Sequence, residues 1–410
     1  MRDRRRAETE FALVEAAWER YAAVGPDGTS VREVAAAAGC NHALVARYFG
    51  SKDGLVAQVA DRLQRRVDAA VDTAMSGDGD PVEALLAAAR SDRPAVQLLV
   101  RSALGDLGLA RCPVTRHALQ VLAGSNPPPR TGEWEQVRHR LCVYGAASLL
   151  LGWLTYDRFV VAATGLGRLS DRRRDHAVAA TARLVMGVAQ AATPTLARPI
   201  QVDPSLVGPE WPVDASARDA LVAAAVELFA LHGPASVSVR DVARRAGVNQ
   251  GLIYRHLGSK QDLIGAAFEQ GSSSLFPAAL SPAGFDLDTV SHQLHHGAPA
   301  SRLIARIVVD DVDIVDVRKQ FPILRQLLKA YGDAPKGAPA AGPNDPRFAV
   351  SSACCMAMGS VIYGPDLRAA LELPDGEHIE VAIADLARVI LAAPFEPAGP
   401  AESGPADAVS

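Results

Sequence analysis

Little in this chain points to catalysis. Its five cysteines (Cys40, Cys112, Cys142, Cys354 and Cys355) form no C-x-x-C and no Cys/His set at zinc-finger spacing, which argues against a structural zinc or a dithiol redox site. With an odd count, and no apolar segment after the basic start MRDRRRAETE, they read as small apolar fillers in a reducing, cytoplasmic compartment. Long apolar runs are scarce. Residues 141–156 are an uncharged run of 16, slightly short for a membrane span and interrupted by Gly145 and Gly152, so they read as a buried helix and no membrane is expected as a partner. Nucleophile elbow, phosphate-cradling glycine loop and supported carboxylate pair are all missing, and no cofactor is expected. Net charge is −4, so attraction to nucleic acid has to come from local placement.

What the chain does have is a repeat. Residues 31–52 read VREVAAAAGCNHALVARYFGSK and residues 239–260 read VRDVARRAGVNQGLIYRHLGSK. Residues 11–56 align with 219–264 without a gap, and 23 of the 46 positions are identical. Two distant copies mean a duplicated domain and not a solenoid, whose repeats stack end to end. A length of 410 residues with 49% apolar content gives each half enough material for a core. Five prolines between 193 and 213 mark a linker. The expected division is domain 1 at 1–192, linker at 193–213, domain 2 at 214–393 and a Pro/Ala/Gly/Ser tail at 394–410 that predicts disorder.

The local signals in both copies are helical. A helix over 11–24 stops at Gly25-Pro26, and one over 216–231 stops at Gly233-Pro234. Ser30 with Glu33, and Ser238 with Asp241, have capping-box form. Gly39 and Gly247 break the short second helix, Asn41 and Asn249 cap the third, and Ser51 and Ser259 cap the fourth. Two short helices about a glycine turn make a helix-turn-helix unit, at about 31–49 and 239–257. Further helices are expected at 82–90, 94–104, 114–122, 133–163 and 173–192, with Pro/Gly-rich loops near 277–284 and 332–346. The fold class is therefore all-α.

The third helix of each copy exposes different chemistry: His42, Ala43 and Arg47 in the first, and Gln250, Gly251, Tyr254 and Arg255 in the second. Gln bonds adenine edges, Arg bonds guanine edges, and a small residue admits a thymine methyl. Arg32 and Arg240 lie near the same groove, while Lys52 and Lys260 open the fourth helix, where free amides suit a phosphate. Arg32, Arg47 and Lys52 against Glu33 give the first head +2; Arg240, Arg244, Arg245, Arg255 and Lys260 against Asp241 give the second +4.

Both stretches resemble the N-terminal DNA-binding domain of the TetR family of bacterial one-component regulators. The second is the nearer match through AGVNQGLIYRHLGSK, which resembles the family's Ala-Gly-Val, polar cap, small residue, then aliphatic-Tyr-x-His-aromatic pattern and Lys, with Leu257 in place of the aromatic. The resemblance implies that Tyr254 and Lys260 hold phosphates and that Arg240 reaches a base. With Tyr48 and His256 beside them, these residues form the expected interface with a double-stranded DNA operator. The first copy departs from the pattern: Ala46 stands at the place of Tyr254, and Tyr48 at that of His256.

Family members pair through their last two helices, so the chain is expected to form an intrachain pseudo-dimer or a homodimer. The family also implies a small-molecule effector in an apolar pocket. Trp134, Tyr144, Trp153, Tyr156, Phe321, Tyr331, Phe348 and Tyr363 are the candidate lining, with plain core packing as the alternative. Asp310, Asp311, Asp313 and Asp316 read as a solvated acidic face or a site for a cationic ligand. His292, His295 and His296 share helical spacing but lack a third ligand type, so no metal is expected. The expected function is a sequence-specific regulator, a repressor released by its ligand. The alternatives are a regulator whose second head alone reads DNA, and an enzyme using an apolar helical pocket.

Overall fold

The computed structural model describes residues 2–107, 116–124, 133–188, 217–274, 280–281, 284–285, 287–296, 298–310, 312, 324, 328, 345–373 and 377–392. The expected linker and tail lie outside these residues. Helices α1 (Arg2–Val24), α2 (Val31–Ala37), α3 (Ala43–Phe49) and α4 (Lys52–Ser76) form the first head. They are followed by α5 (Pro81–Ser91), α6 (Arg93–Ala103), α7 (Arg116–Gly124), α8 (Glu133–Thr164) and α9 (Asp171–Gly187). The second half repeats the head as α10 (Ala217–His232), α11 (Val239–Ala246), α12 (Gly251–His256) and α13 (Lys260–Ser274). After it come α14 (Leu287–His296), α15 (Ala298–Val309), α16 (Pro346–Leu371) and α17 (Glu377–Ala392). The fold is all-α; among the described residues the strands are a hairpin of two-residue strands, β1 (Leu280–Ser281) and β2 (Gly284–Phe285), which occupies part of the expected loop near 277–284. Helix α1 starts at Arg2, well ahead of the expected position 11, because Arg4–Glu8 and Arg6–Glu10 pairs at i,i+4 support its first turns.

The two halves meet along α8 and α16, with α9 and α17 flanking them. The contact is reciprocal. Gly152 on α8 faces the backbone of Cys355, where an added Cβ would lie 1.9 Å from its carbonyl oxygen. Gly359 on α16 faces Ser148 in the same way, at 2.0 Å. In the repeat Gly152 aligns with Gly359 and Ser148 with Cys355, so residue i meets j and j meets i, as in an isologous interface. Glycine at these two points lets the helix backbones touch. Around them Tyr144 Oη donates to Ser360 O at 3.2 Å, and Thr155 Oγ1 and Tyr363 Oη share a hydrogen bond of 2.9 Å. Helix α16 is long and apolar enough to cross a membrane, but it is mostly buried and serves as a core helix.

A second reciprocal contact joins α6 to α15. Arg101 donates from Nε to Ala22 O (3.0 Å) and from Nη2 to Ala23 O (2.7 Å), holding the end of α1 in its own half. Its Nη2 also meets Asp310 Oδ1 of the other half at 2.6 Å. Arg306 mirrors this arrangement. It donates to Leu231 O at 2.7 Å, at the end of α10, and pairs with Asp106 across the junction. Gln97 donates to Val309 O and Arg302 to Leu104 O, again as a matched exchange. The Asp310 side chain is 1% exposed, as is that of Arg101. This corrects the reading of Asp310 as part of a solvated acidic face: an unpaired carboxylate is too costly to bury, and Arg101 supplies the partner. Asp311, Asp313 and Asp316 lie outside the described residues.

The heads differ in how they are seated. The first has its own small core of Leu13, Trp18, Tyr21, Val34, Val45 and Leu55, extended by Leu98 of α6. The core of the second, including Phe229, Val242, Ile253 and Leu263, is continuous with the main core, and Phe268 meets Phe159 of α8 edge-on at 5.7 Å.

Candidate DNA-binding heads

Each reading head is assembled by local hydrogen bonds that the side chains dictate. Ser30 Oγ accepts from Glu33 N at 3.2 Å while Glu33 Oε2 accepts from Ser30 N at 2.7 Å. Ser238 and Asp241 repeat the pair at 3.2 and 3.1 Å. Gly39 and Gly247 take φ of +66° and +69°, the left-handed turn that only glycine adopts without strain. Asn41 Oδ1 then caps Ala43 N at 2.9 Å, and Asn249 Oδ1 caps Gly251 N at 2.8 Å. The turn closes on buried Ala35 and Ala243, where methyl groups let the helices approach.

With Val45 and Ile253 buried, the opposite face of each third helix is turned outward. Asn41, His42, Ala43 and Arg47 are exposed in the first head, and Asn249, Gln250, Gly251, Tyr254, Arg255 and His256 in the second. Ser30, Arg32, Ser238 and Arg240 are exposed at the starts of α2 and α11. The residues expected to meet DNA are thus exposed at the starts of the second helices and along the third helix of each head, and the two heads differ at the tyrosine. Tyr254 is 57% exposed, whereas Tyr48 is half-buried, its ring covered by Arg6 and flanked by Arg47.

Charge is trimmed locally. Arg244 pairs with Asp241 at 2.6 Å, a charge already counted in the second head's tally, and Arg245 pairs with Glu227 of α10 at 2.6 Å, which offsets one more. Lys52 and Lys260 are half-buried at the starts of α4 and α13. Burial lowers the Lys260 pKa, and the nearby Asp310 charge opposes that shift, which links this lysine to the junction between the halves.

The caps are acid-sensitive. Hydrogen bonds from Ser30 hold Glu33 below its ordinary carboxyl range, and Ser238 and Ser259 do the same for Asp241 and Asp262. Carboxylates depressed on folding stabilise above their unfolded pKa and lose that contribution as pH falls through the folded value. Acidification below about pH 4 should therefore fray the starts of α2, α11 and α13 before the bundle melts. Amide exchange, corrected for intrinsic rates, reads this directly. Protection of those first turns that stays unchanged down to about pH 3 would refute it.

Two cavities lie away from the recognition helices. One, of about 480 Å³, is apolar and sits within the first half among α4–α8, walled by Leu86, Leu99, Leu119, Leu122, Leu150 and Leu151. The other, of about 520 Å³, lies where α15 meets α6 and α8 and mixes Val96, Val308 and Val309 with Arg90, Arg158 and Asp157. The described aromatic residues among those expected to line a pocket border neither of these two cavities. Tyr144, Tyr156 and Tyr363 are buried in or beside the α8–α16 seam, and Trp153 and Phe348 are core residues that touch neither cavity. Leucines supply most of the apolar wall of the first cavity. Phe321, Tyr331 and the Trp134 side chain lie outside the described residues. His292 Nδ1 contacts Glu380 at 3.0 Å, and His295 contacts Ser291 O and Ser360 Oγ, so these imidazoles tie α14 to α17 and α16.

The comparisons agree with this geometry. The model of bacterial regulatory proteins of the tetR family matches twice, at residues 13–59 and 221–267, one match on each head. The chain is also similar to the HTH-type transcriptional repressor Rv3405c of Mycobacterium tuberculosis and the HTH-type transcriptional regulator Mb3439c of Mycobacterium bovis. Each is 31% identical over 177 residues, which is 42% of this chain and 87% of the relative. Two helix-turn-helix heads built on the same residues, and relatives matched over nearly their whole length, place the chain in the TetR family of DNA-binding transcriptional regulators, with two TetR-like units in tandem.

Proposed function

We propose that the chain is a repressor that carries both halves of its DNA-reading pair and binds an asymmetric operator. The observation that carries this reading is the pair of exposed third helices, alike in scaffold and different in side chains, on halves joined by reciprocal contacts. His42 and Ala43 face one half-site, Gln250, Gly251 and Tyr254 the other, and Arg32 and Arg240 reach into the adjoining grooves. Lys52, Lys260 and Tyr254 hold backbone phosphates. Productive binding needs the two helices roughly 34–36 Å apart, one turn of DNA.

The apolar cavity of the first half suits a small apolar effector. Helices α4 and α6 both wall it: α4 is the last helix of the first head, and α6 carries Arg101 to the junction. A ligand that favours a wider separation of these helices shifts the population toward a head spacing that no longer fits the operator.

A second reading, with the first head serving only for pairing, is favoured by one feature: Ala46 replaces the phosphate-holding tyrosine. Alanine pairs separate the two readings in a footprinting and gel-shift experiment on the full chain. With two working heads, Arg32→Ala/Lys52→Ala and Arg240→Ala/Lys260→Ala each weaken operator binding by about tenfold or more, since each removes about two charged contacts. Unchanged binding by the first pair would leave the second head alone as the reader.

A further inference from the structure

The first head lacks the exposed tyrosine of the second, yet it carries an aromatic and arginine cluster of its own two residues further along the recognition helix. Arg6 on α1 lies with its guanidinium carbon 5.5 Å from the centre of the Tyr48 ring on α3, and that of Arg47 lies 6.0 Å from it. Both distances are within reach of a cation–π contact. Glu10 holds Arg6 from behind at 2.7 Å, yet the Arg6 side chain is still 61% exposed. Arg5 and Arg47 are exposed beside it. Two cations thus converge on one aromatic platform at the edge of the recognition helix, and Glu10 sets one carboxylate against them.

The cluster belongs to the first half alone. By the offset of the repeat, residues 2–6 (Arg-Asp-Arg-Arg-Arg) correspond to Glu210, Trp211, Pro212, Val213 and Asp214, which contain no base. The ring at the place of Tyr48 is His256, which is exposed. The second head presents Tyr254 where the first has Ala46, and the first presents Arg6 on Tyr48 where the second has neither.

We infer that Arg6, held over Tyr48 and beside Arg47, grips a DNA backbone phosphate for the first head and supplies the anchoring that the Ala46 methyl cannot. A guanidinium stacked on a ring can still turn its N–H edge outward for bidentate bonding to phosphate oxygens. Tyr48 then acts as the platform that positions Arg6 and does not itself hold a phosphate. The inference rests on the reading that the first head meets DNA.

The test uses the full chain and a labelled mixed-sequence duplex of about 30 base pairs, because phosphate contacts do not depend on sequence. Binding is measured across a series of salt concentrations for Arg6→Ala, Arg6→Lys and Arg240→Ala/Lys260→Ala. Each phosphate contact removed lowers the slope of log affinity against log salt by about 0.9. Arg6→Ala is expected to lower it by about one such step and weaken binding about fivefold at about 0.1 M salt. Arg6→Lys, which keeps the charge, is expected to restore the slope with weaker binding. If Arg6→Ala melts the head, Arg6→Gln, which keeps the stem, takes its place. An unchanged slope for the Arg6 variant, alongside a lowered one for Arg240→Ala/Lys260→Ala, would reduce the cluster to a strut between α1 and α3 and overturn the inference alone. Unchanged slopes throughout would overturn the DNA-binding reading with it.

Discussion

Gly152→Ala is expected to lower the stability of the whole chain by about 3 kcal/mol, and Gly359→Ala by a similar amount. Two effects of opposite sign compete. Alanine is the better helix former and would stabilise an open helical site by about 1 kcal/mol. Against that, the new methyl meets the Cys355 carbonyl oxygen at 1.9 Å, or the Ser148 carbonyl oxygen at 2.0 Å. Neither oxygen can swing aside, because both belong to helix backbone. The helices must part, and separation forfeits dispersion attraction along the entire seam. Overpacking wins. Urea unfolding of each variant measures the destabilisation, and Gly187→Ala is the control, because a Cβ there meets nothing within 4 Å. A seam variant as stable as the parent would mean that the halves are held together elsewhere.

The second large effect belongs to the ionic junction. Asp310→Ala should cost about 3 kcal/mol, the low end of the penalty for breaking a buried pair, because Asp106 still lies 3.6 Å from Arg101 Nη1. The Arg101 guanidinium would be left buried against Ala22 O and Ala23 O without the Asp310 countercharge, and Ala235 N would lose its 2.8 Å acceptor. Both effects fall on the corners where the heads leave α1 and α10, so operator binding should fall as well. Replacing both partners, as Arg101→Met/Asp310→Leu, should cost clearly less than the sum of the single changes, because neither charge is then buried without the other. A double-mutant cycle by denaturant unfolding, with gel shifts on the same proteins, gives both readings. Strict additivity would show that the two groups do not act as a pair.

Much of each head is legible in the sequence, since its geometry is local. Ser30, Glu33, Gly39 and Asn41 make their bonds within about four residues, and the duplicate set repeats them, so spacing alone locates the turn and the exposed face. Arg6 escapes such a reading because its partner Tyr48 is distant in sequence, and the helix that brings them together begins in a stretch that the repeat does not cover. A hint of the junction lies in the offset between Arg101 and Arg306. Four closely spaced aspartates, however, read as a solvated face unless a buried arginine from the other half is known to meet one of them. The cavities are not legible in the sequence for a related reason. Aromatic residues mark a core without saying which face looks at a cavity and which at a neighbouring helix.

The sequence by itself determined the duplication, the two capped reading heads and their unlike recognition residues, because those depend on hydrogen bonds and backbone angles within a few residues of each other. Only the tertiary structure decided that Gly152 and Gly359 are points of helix contact, that Asp310 is a buried partner of Arg101, and that leucines wall the cavity. Each of these depends on which surfaces two halves of one chain bury against each other, a property of packing that no local pattern encodes.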